Sequence, residues 1–273
     1  MLYQKIHLNE YYDLNSDPTL EAIIMDNFDV KTPKRRGLIV VPGGAYVFVS
    51  KREGDPIAIR FASYNYSTFV LRYTVDPEHK GLSYPTQVLE LMAAIDYIKK
   101  HADEFMVDKN QIAAIGFSAG GHLVALTAYK YKEKELLSKL KIKEEDAKLN
   151  AVVLAYPVIS LLKYPHQETA RVITNGDEKL LKELSIENHI ESDYPPTFIW
   201  TTEDDNGVSS KNTYVMDDAL TKANVKHKTI IYEHGEHGLS LSDDTTNENG
   251  NQYSKYVINW PIEVDKFLKE TLN

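Results

Sequence analysis

Short apolar runs alternate with longer amphipathic stretches along most of this chain. The apolar runs predict strands near residues 38–41, 68–73, 111–115, 151–155, 197–201 and 226–232. The stretches between them predict helices near residues 55–63, 85–101, 119–130, 214–223 and 261–270. Strands that alternate with helices are typical of an α/β fold, here a mostly parallel, doubly wound sheet with helices on both faces. Scattered apolar positions in the first 30 residues predict antiparallel edge strands ahead of the parallel run.

The longest interval without a predicted core strand spans residues 158–195. A helical piece from Asp177 to Leu184 suggests that this interval forms a small cap over a site. The alternative is a surface excursion that takes no part in binding. A chain of 273 residues can bury a two-sided core, so we expect one domain over residues 1–273.

Composition restricts the classes of partner. A formal net charge of −9 argues against a nucleic-acid partner, because Lys and Arg dominate binding to phosphates. No apolar run approaches the roughly 20 residues of a membrane span. The N-terminal segment MLYQKIHLNE lacks the apolar stretch of a secretory signal, so we expect a cytoplasmic protein with no membrane partner. The chain has no cysteine, which excludes disulfides and thiolate chemistry and agrees with the cytosol without requiring it.

A Gly-x-Ser-x-Gly frame places Ser118 between a predicted strand and a predicted helix. A serine on so sharp a turn is exposed for nucleophilic attack. Gly116 and Gly120 flank it, and glycine lets the strand and the helix approach each other closely. Because the pattern alone is common, its weight depends on finding the groups that would activate the serine.

The segment Pro42-Gly43-Gly44-Ala45-Tyr46 follows the strand predicted near residues 38–41. Its small residues let backbone N–H groups approach the negative oxygen of a tetrahedral intermediate. We assign the N–H groups of Gly44, Ala45 and Ala119 as the donors of an oxyanion hole. An ordinary turn after a strand is the alternative.

An activated serine also needs a base and an acid that orients the base. Three carboxylates, Glu203, Asp204 and Asp205, follow the strand predicted near residues 197–201. Two histidines, His234 and His237, follow the strand predicted near residues 226–232. A solvated acidic loop remains the alternative for at least two of the three carboxylates.

These loops together resemble those of α/β-hydrolases of the acetyl esterase and hormone-sensitive-lipase-like group, close to bacterial carboxylesterases of the acetyl-xylan type. The resemblance covers nearly the whole chain. It includes the stretch at residues 69–73, Tyr84-Pro85 before a long helix, and residues 108–111 before the nucleophile strand. Two departures are Pro42 where the lipases usually carry His, and Ala45 in place of a third Gly.

The resemblance implies which acid and which histidine complete a triad with Ser118. Asp205-Asn206-Gly207-Val208 is similar to the family's Asp-x-x-Val loop, which favours Asp205 over Asp204 and places Glu203 third. His237 lies in a Gly-x-His-Gly setting that is similar to the family's histidine loop, with His234 as its competitor. We expect His122 to pack or cap on the helix behind the nucleophile. The other histidines are interpreted as surface or loop residues: His7, His79, His101, His166, His189 and His227.

The activity that the resemblance implies is that of a serine carboxylesterase, which hydrolyses short-chain acyl esters, acetylated sugars among them, through an acyl-enzyme. Such an enzyme needs a small-molecule ester as its partner and no metal or organic cofactor, and its relatives often form homo-oligomers. Tyr46 lies in a predicted site loop, where its ring could stack on a sugar, but ordinary packing is the favoured alternative. Two alternatives are an amide-directed serine hydrolase, such as an aryl formamidase or small peptidase, and a non-catalytic binding protein of the same fold.

Overall fold

One sheet organises the part of the chain that the structure describes, residues 1–26, 33–78, 80–247, 250 and 253–272 of a computed structural model. Its eight strands are β1 (Leu2–His7), β2 (Thr19–Ile24), β3 (Arg35–Val41), β4 (Tyr66–Arg72), β5 (Val107–Phe117), β6 (Ala151–Ala155), β7 (Thr197–Thr202) and β8 (His227–Tyr232). Their spatial order is β1-β2-β4-β3-β5-β6-β7-β8.

The strand directions confirm the predicted fold class. β1 and β2 pair antiparallel, and β2 pairs antiparallel with β4. All other neighbours, from β4 and β3 through β7 and β8, run parallel. The first two strands therefore form the predicted antiparallel edge.

The helices occupy the connections between strands. They are α1 (Asp55–Ser63), α2 (Thr86–Lys100), α3 (Ala119–Lys130), α4 (Lys134–Leu140), α5 (Glu144–Ala147), α6 (Gln167–Thr174), α7 (Glu178–Glu183), α8 (Lys211–Lys222) and α9 (Trp260–Thr271). Among the described residues, no helix has the length and apolar character needed to cross a bilayer.

Both faces of the sheet are covered, as the alternation along β3 shows. Ile39 and Val41 belong to one buried apolar cluster, which contains residues of α2 and α3. Leu38 and Val40 belong to the other, which contains residues of α1 and α9. Because successive strand residues point to opposite faces, two separate cores form above and below the same strand.

The interval 158–195 carries α6 and α7, with α7 at the position of the predicted helical piece. Its apolar side chains are anchored in the first core cluster, where Ile159, Ile173 and Ile186 are fully buried. Asn212 of α8 also accepts hydrogen bonds from the backbone N–H groups of Ile159 and Ser160, both 2.9 Å long. The interval is therefore packed onto the sheet and its helices along much of its length.

Candidate active site

Ser118 lies at the junction of β5 and α3 with a positive φ of 51° and ψ of −118°. A side chain at Gly116 would place its Cβ 2.2 Å from the carbonyl oxygen of Gly120. A side chain at Gly120 would place its Cβ 2.2 Å from the carbonyl oxygen of Val41. The two glycines are therefore required by the close approach of strand and helix, and this approach holds the serine in its strained turn.

Ser118, His237 and Asp205 form one hydrogen-bonded chain. His237 Nε2 lies 2.8 Å from Ser118 Oγ, and His237 Nδ1 lies 2.8 Å from Asp205 Oδ2. The Asp205 side chain is fully buried, and its other oxygen accepts 2.8 Å hydrogen bonds from the N–H groups of Gly207 and Val208. A carboxylate at Nδ1 holds the proton on that nitrogen and leaves Nε2 free to accept the serine proton.

Asp204 lies beside this chain of groups but takes no part in it. Its Oδ2 lies 3.0 Å from Nδ1 of His234, and its Oδ1 accepts a 2.7 Å hydrogen bond from the N–H of Gly235. That backbone hydrogen bond, followed by the one to His234, lowers the pKa of Asp204. Glu203 accepts a hydrogen bond from the hydroxyl of Tyr214 at 2.9 Å. The structure thus brings Asp205, and neither of its two acidic neighbours, to His237.

The predicted oxyanion donors lie on two elements that meet at Ser118. Gly44 has a φ of 127° and Ala45 a φ of 55°, in a turn closed by the N–H of Val47 donating to the carbonyl of Gly44. Ala119 is the first residue of α3. Within the described residues, the N–H groups of Gly44, Ala45 and Ala119 donate no hydrogen bond. The positive end of the α3 dipole adds to their attraction for an anion.

A buried network that the sequence analysis missed supports both loops. Glu53, 4% exposed, accepts hydrogen bonds from the N–H of Gly43 at 2.9 Å and from the hydroxyl of Tyr156 at 2.7 Å. That hydroxyl also accepts from the N–H of Ser240, and the Tyr156 ring packs edge-on against His237 with 5.1 Å between centroids. Tyr156 directly follows β6, at the strand end where sites of this fold class lie, so its position was a usable signal. Glu53 carried no such signal.

His122 is packed behind the nucleophile, and Tyr46 is packed with it. Both are fully buried, and the Tyr46 hydroxyl lies 2.9 Å from His122 Nδ1. His122 Nε2 donates to the carbonyl of Leu184 at 2.9 Å, so Nδ1 accepts a hydrogen bond from the Tyr46 hydroxyl. Burial lowers the pKa of His122 to about 4, and the histidine is neutral. The Tyr46 ring lies inside the core, as ordinary packing predicts, and it is not placed to stack on a substrate.

A cleft of about 630 Å³ opens over Ser118 and His237. The loop at residues 44–53 contributes to one part of its wall, and Gly238 and His166 contribute to the rest. His166 therefore lines the cleft, which its interpretation as an ordinary surface or loop residue did not anticipate. His79 lies outside the described residues. Among the residues that are described, no three His, Asp or Glu side chains are grouped so as to hold a metal ion.

Comparisons with known proteins identify the family of the chain. A sequence model of the BD-FAE family matches residues 27–220. Endo-1,4-beta-xylanase B of Butyrivibrio fibrisolvens is 29% identical over 87% of this chain and 37% of its own length. Acetylxylan esterase of Xylanibacter ruminicola is 26% identical over 77% of this chain and 42% of its own length. The chain therefore spans less than half the length of these curated relatives.

Solved structures match over almost the full length of both chains. The acetyl ester-xyloside bifunctional hydrolase of Caldicellulosiruptor lactoaceticus superimposes with a TM-score of 0.82 and 29% identity, covering 98% of this chain and 96% of that one. The carboxylesterase Cest-2923 of Lactobacillus plantarum gives a TM-score of 0.87 and 25% identity, covering 99% and 98%. The family match over most of the chain, the sheet order and these structures show that the chain belongs to the BD-FAE family, within the α/β-hydrolase carboxylesterases.

Proposed function

We propose that the chain is a serine carboxylesterase in which Ser118 is the nucleophile, His237 the general base and Asp205 the group that orients it. The observation that carries this proposal is the hydrogen-bonded chain from Ser118 Oγ through His237 to the buried Asp205, with 2.8 Å at each step. A serine hydroxyl alone is a weak nucleophile, and an oriented imidazole is the group that activates it.

The reaction proceeds in two halves. His237 takes the proton of Ser118 as Oγ attacks the ester carbonyl carbon, and then delivers that proton to the departing alcohol oxygen. The product of this half is an acyl-enzyme, which water attacks with His237 again as the base. The acid then leaves, and Ser118 regains its proton.

Negative charge develops on the carbonyl oxygen in both halves. The N–H groups of Gly44, Ala45 and Ala119 are the proposed donors to this oxygen, and their freedom from other hydrogen bonds supports the assignment. Donors that are fixed before the reaction need no rearrangement as the charge appears, and losing one typically costs about a hundredfold to a thousandfold in rate.

The proposed substrates are sugars whose hydroxyl groups are esterified with short acyl groups. The names of similar proteins support this choice, because three of them contain xylan, xylanase or xyloside and two of those three also contain acetyl. An acetylated xylo-sugar is therefore the first natural substrate to test.

Hydrolysis of 4-nitrophenyl esters from acetate to octanoate tests the proposed chemistry. We expect kcat/KM to fall as the acyl chain lengthens, and kcat to fall about a million-fold in Ser118→Ala and in His237→Ala. His234→Ala is the matched control, because His234 lies on the same loop and is paired with Asp204 rather than with Ser118. Residual activity in Ser118→Ala near the wild-type level would contradict the proposal. Faster cleavage of 4-nitroacetanilide than of the acetate ester would instead indicate an amide-directed hydrolase.

A further inference from the structure

His166 lies at the start of α6, half-buried in the wall of the cleft that holds Ser118 and His237. Of its two ring nitrogens, Nδ1 is the one with hydrogen-bond partners among the described residues. Nδ1 lies 3.3 Å from the backbone N of Thr169 and 2.9 Å from its Oγ1, and it caps the helix. Within the described residues, Nε2 has no hydrogen-bond partner.

These contacts determine which ring nitrogen of His166 carries the proton. A backbone N–H only donates, so Nδ1 must offer a lone pair to Thr169. Burial lowers the pKa of His166 below its ordinary value, so the ring is neutral near pH 7. In a neutral imidazole with an accepting Nδ1, the proton is on Nε2. His166 is therefore a hydrogen-bond donor whose tautomer is set by the cap of α6.

The ring of Phe48 lines the same cleft and is 57% exposed. A large exposed aromatic side chain in a cleft offers an apolar platform to a flat or ring-shaped ligand. The C–H face of a sugar ring suits such a platform, and sugar oxygens suit an N–H donor. An apolar alcohol would instead desolvate the N–H of His166 without giving it a partner, which costs binding free energy.

We propose that His166 Nε2–H and the ring of Phe48 form the subsite for the alcohol part of the ester, and that this subsite selects a sugar through a hydrogen bond to one of its oxygens. The inference rests on the proposed esterase function and deepens it, because it names the residues that recognise the leaving group. In this role His166 determines specificity and takes no part in proton transfer with Ser118.

The test compares two acetate esters that share the acyl group and differ in the alcohol: 4-nitrophenyl acetate and a mono-acetylated methyl β-xyloside. His166→Asn is the informative variant, because Asn is also a good helix N-cap and lacks the reach of the Nε2 donor. We expect kcat/KM for the acetylated xyloside to fall about tenfold, as for loss of one hydrogen bond, while that for 4-nitrophenyl acetate stays within about twofold. Phe48→Ala removes an apolar platform that a flat nitrophenyl ring and a sugar ring can both use, so we expect it to lower kcat/KM on both esters.

Each of the remaining outcomes has one meaning. Equal losses on both esters in His166→Asn, or an unchanged kcat/KM for the acetylated xyloside in His166→Asn or in Phe48→Ala, overturn the subsite while leaving the esterase in place. A wild type that hydrolyses neither ester overturns the proposed function itself. An independent measurement is the ¹⁵N spectrum of His166, which should show an unprotonated Nδ1. A protonated Nδ1 would overturn the assignment of the donor.

Discussion

At the scale of single residues, Asp204 and Asp205 show how two adjacent carboxylates acquire different roles. Asp205 is buried, with one oxygen held by two backbone N–H groups and the other directed at His237. Asp204 is more than half exposed and faces His234. A buried carboxylate beside an imidazole stabilises the positive charge that the imidazole gains, whereas an exposed pair is screened by water.

Replacing Asp205 by Asn should therefore lower kcat on 4-nitrophenyl acetate by about a thousandfold or more. The Asn carbonyl would be held by the N–H groups of Gly207 and Val208, so its NH₂ would face His237. Nδ1 would then have to accept, and the proton would move to Nε2, where it blocks the transfer from Ser118. Steady-state kinetics measure the effect.

Asp204→Asn is the matched control for that change and should retain kcat within about threefold. Its partner His234 takes no part in the hydrogen-bonded chain of Ser118, His237 and Asp205. If the two variants exchanged these effects, the assignment of the acid would be wrong.

The buried neutral His122 should make stability depend on pH. Its pKa in the folded protein is about 4, below the ordinary value of 6.5, so the unfolded chain binds the proton first as the pH falls. The stability that neutral His122 contributes is fully present above pH 6.5 and is lost as the pH falls towards 4. Between pH 7 and pH 5 the loss should be about 2 kcal/mol in the free energy of unfolding.

His122→Gln isolates that contribution, because Gln can donate to the carbonyl of Leu184 and accept from Tyr46 without titrating. Urea denaturation at several pH values should give a shallower dependence for this variant than for the wild type. Parallel curves for the two proteins would refute the assignment.

The sequence predicted single residues where one loop held a recognisable motif. Ser118 followed from the flanking glycines, and His237 from the loop after the last strand. The resemblance favoured Asp205 over Asp204, but the backbone N–H groups and the burial that distinguish them exist only in the folded loop. His166 was missed because its place in the cleft depends on how residues 158–195 fold back over the sheet.

At the scale of elements, the loop at residues 42–46 is held by a residue outside the triad. Glu53 follows that loop. One of its carboxylate oxygens accepts a hydrogen bond from the N–H of Gly43, and the other accepts one from the hydroxyl of Tyr156. The same hydroxyl accepts a hydrogen bond from the N–H of Ser240, which is close to His237 in the sequence. Glu53 and Tyr156 therefore connect the loop that carries Gly44 and Ala45 with the loop that carries the histidine.

Glu53→Gln should disturb this connection, because the amide offers one acceptor oxygen where the carboxylate offers two. Either the N–H of Gly43 or the hydroxyl of Tyr156 would then lose its acceptor. We expect kcat on 4-nitrophenyl acetate to fall about tenfold with little change in KM, since an oxyanion donor acts mainly in the transition state. Asp55→Asn, an exposed carboxylate nearby that pairs with Arg72, serves as the control. A large rise in KM at unchanged kcat would refute the positioning role.

Element prediction succeeded where the apolar pattern was strong. The strands near residues 38–41, 151–155 and 197–201 and the helix near 119–130 agree with the structure. β5 begins earlier than predicted, at Val107, because this buried residue pairs with Arg35 of β3. The polar residues 108–111 lie in a register shift between the two strands and interrupt the apolar pattern. The short helices α4, α5 and α6 also escaped prediction, since a helix of one or two turns carries too little periodic pattern.

At the scale of the whole molecule, a few buried polar contacts tie residues 158–195 to the rest of the fold. Lys130, at the end of α3, has a side chain only 2% exposed and pairs with Glu133 at 2.6 Å and with Glu183 of α7 at 2.7 Å. Burial lowers the pKa of Lys130, but its hydrogen bonds to the two glutamates outweigh burial and raise it. This lysine therefore remains charged and fastens α7 to the helix behind the nucleophile.

Lys130→Met should loosen that attachment locally. We expect hydrogen exchange across α6 and α7 to rise about tenfold, because the segment loses hydrogen bonds to a charged partner while the sheet keeps its own. Exchange in β5, β6 and β7 should stay unchanged. Hydrogen–deuterium exchange with mass spectrometry measures both regions at once.

Lys132→Met provides the comparison, since Lys132 also bridges two acids, Glu191 and Asp193, but its side chain is 35% exposed. Lys132→Met should change the hydrogen-exchange rates in α6 and α7 by less than about twofold. If Lys130→Met raised exchange equally in the central strands, the lysine would stabilise the whole domain rather than this attachment.

Covalent labelling shows whether Ser118 is a nucleophile activated by His237. The protein is treated with a fluorophosphonate, and the site of the adduct is identified by mass spectrometry of its peptides. We expect a single adduct on Ser118 in the wild type and in His234→Ala, with labelling nearly abolished in His237→Ala. An adduct on another serine, or equal labelling of Ser118 with and without His237, would contradict it.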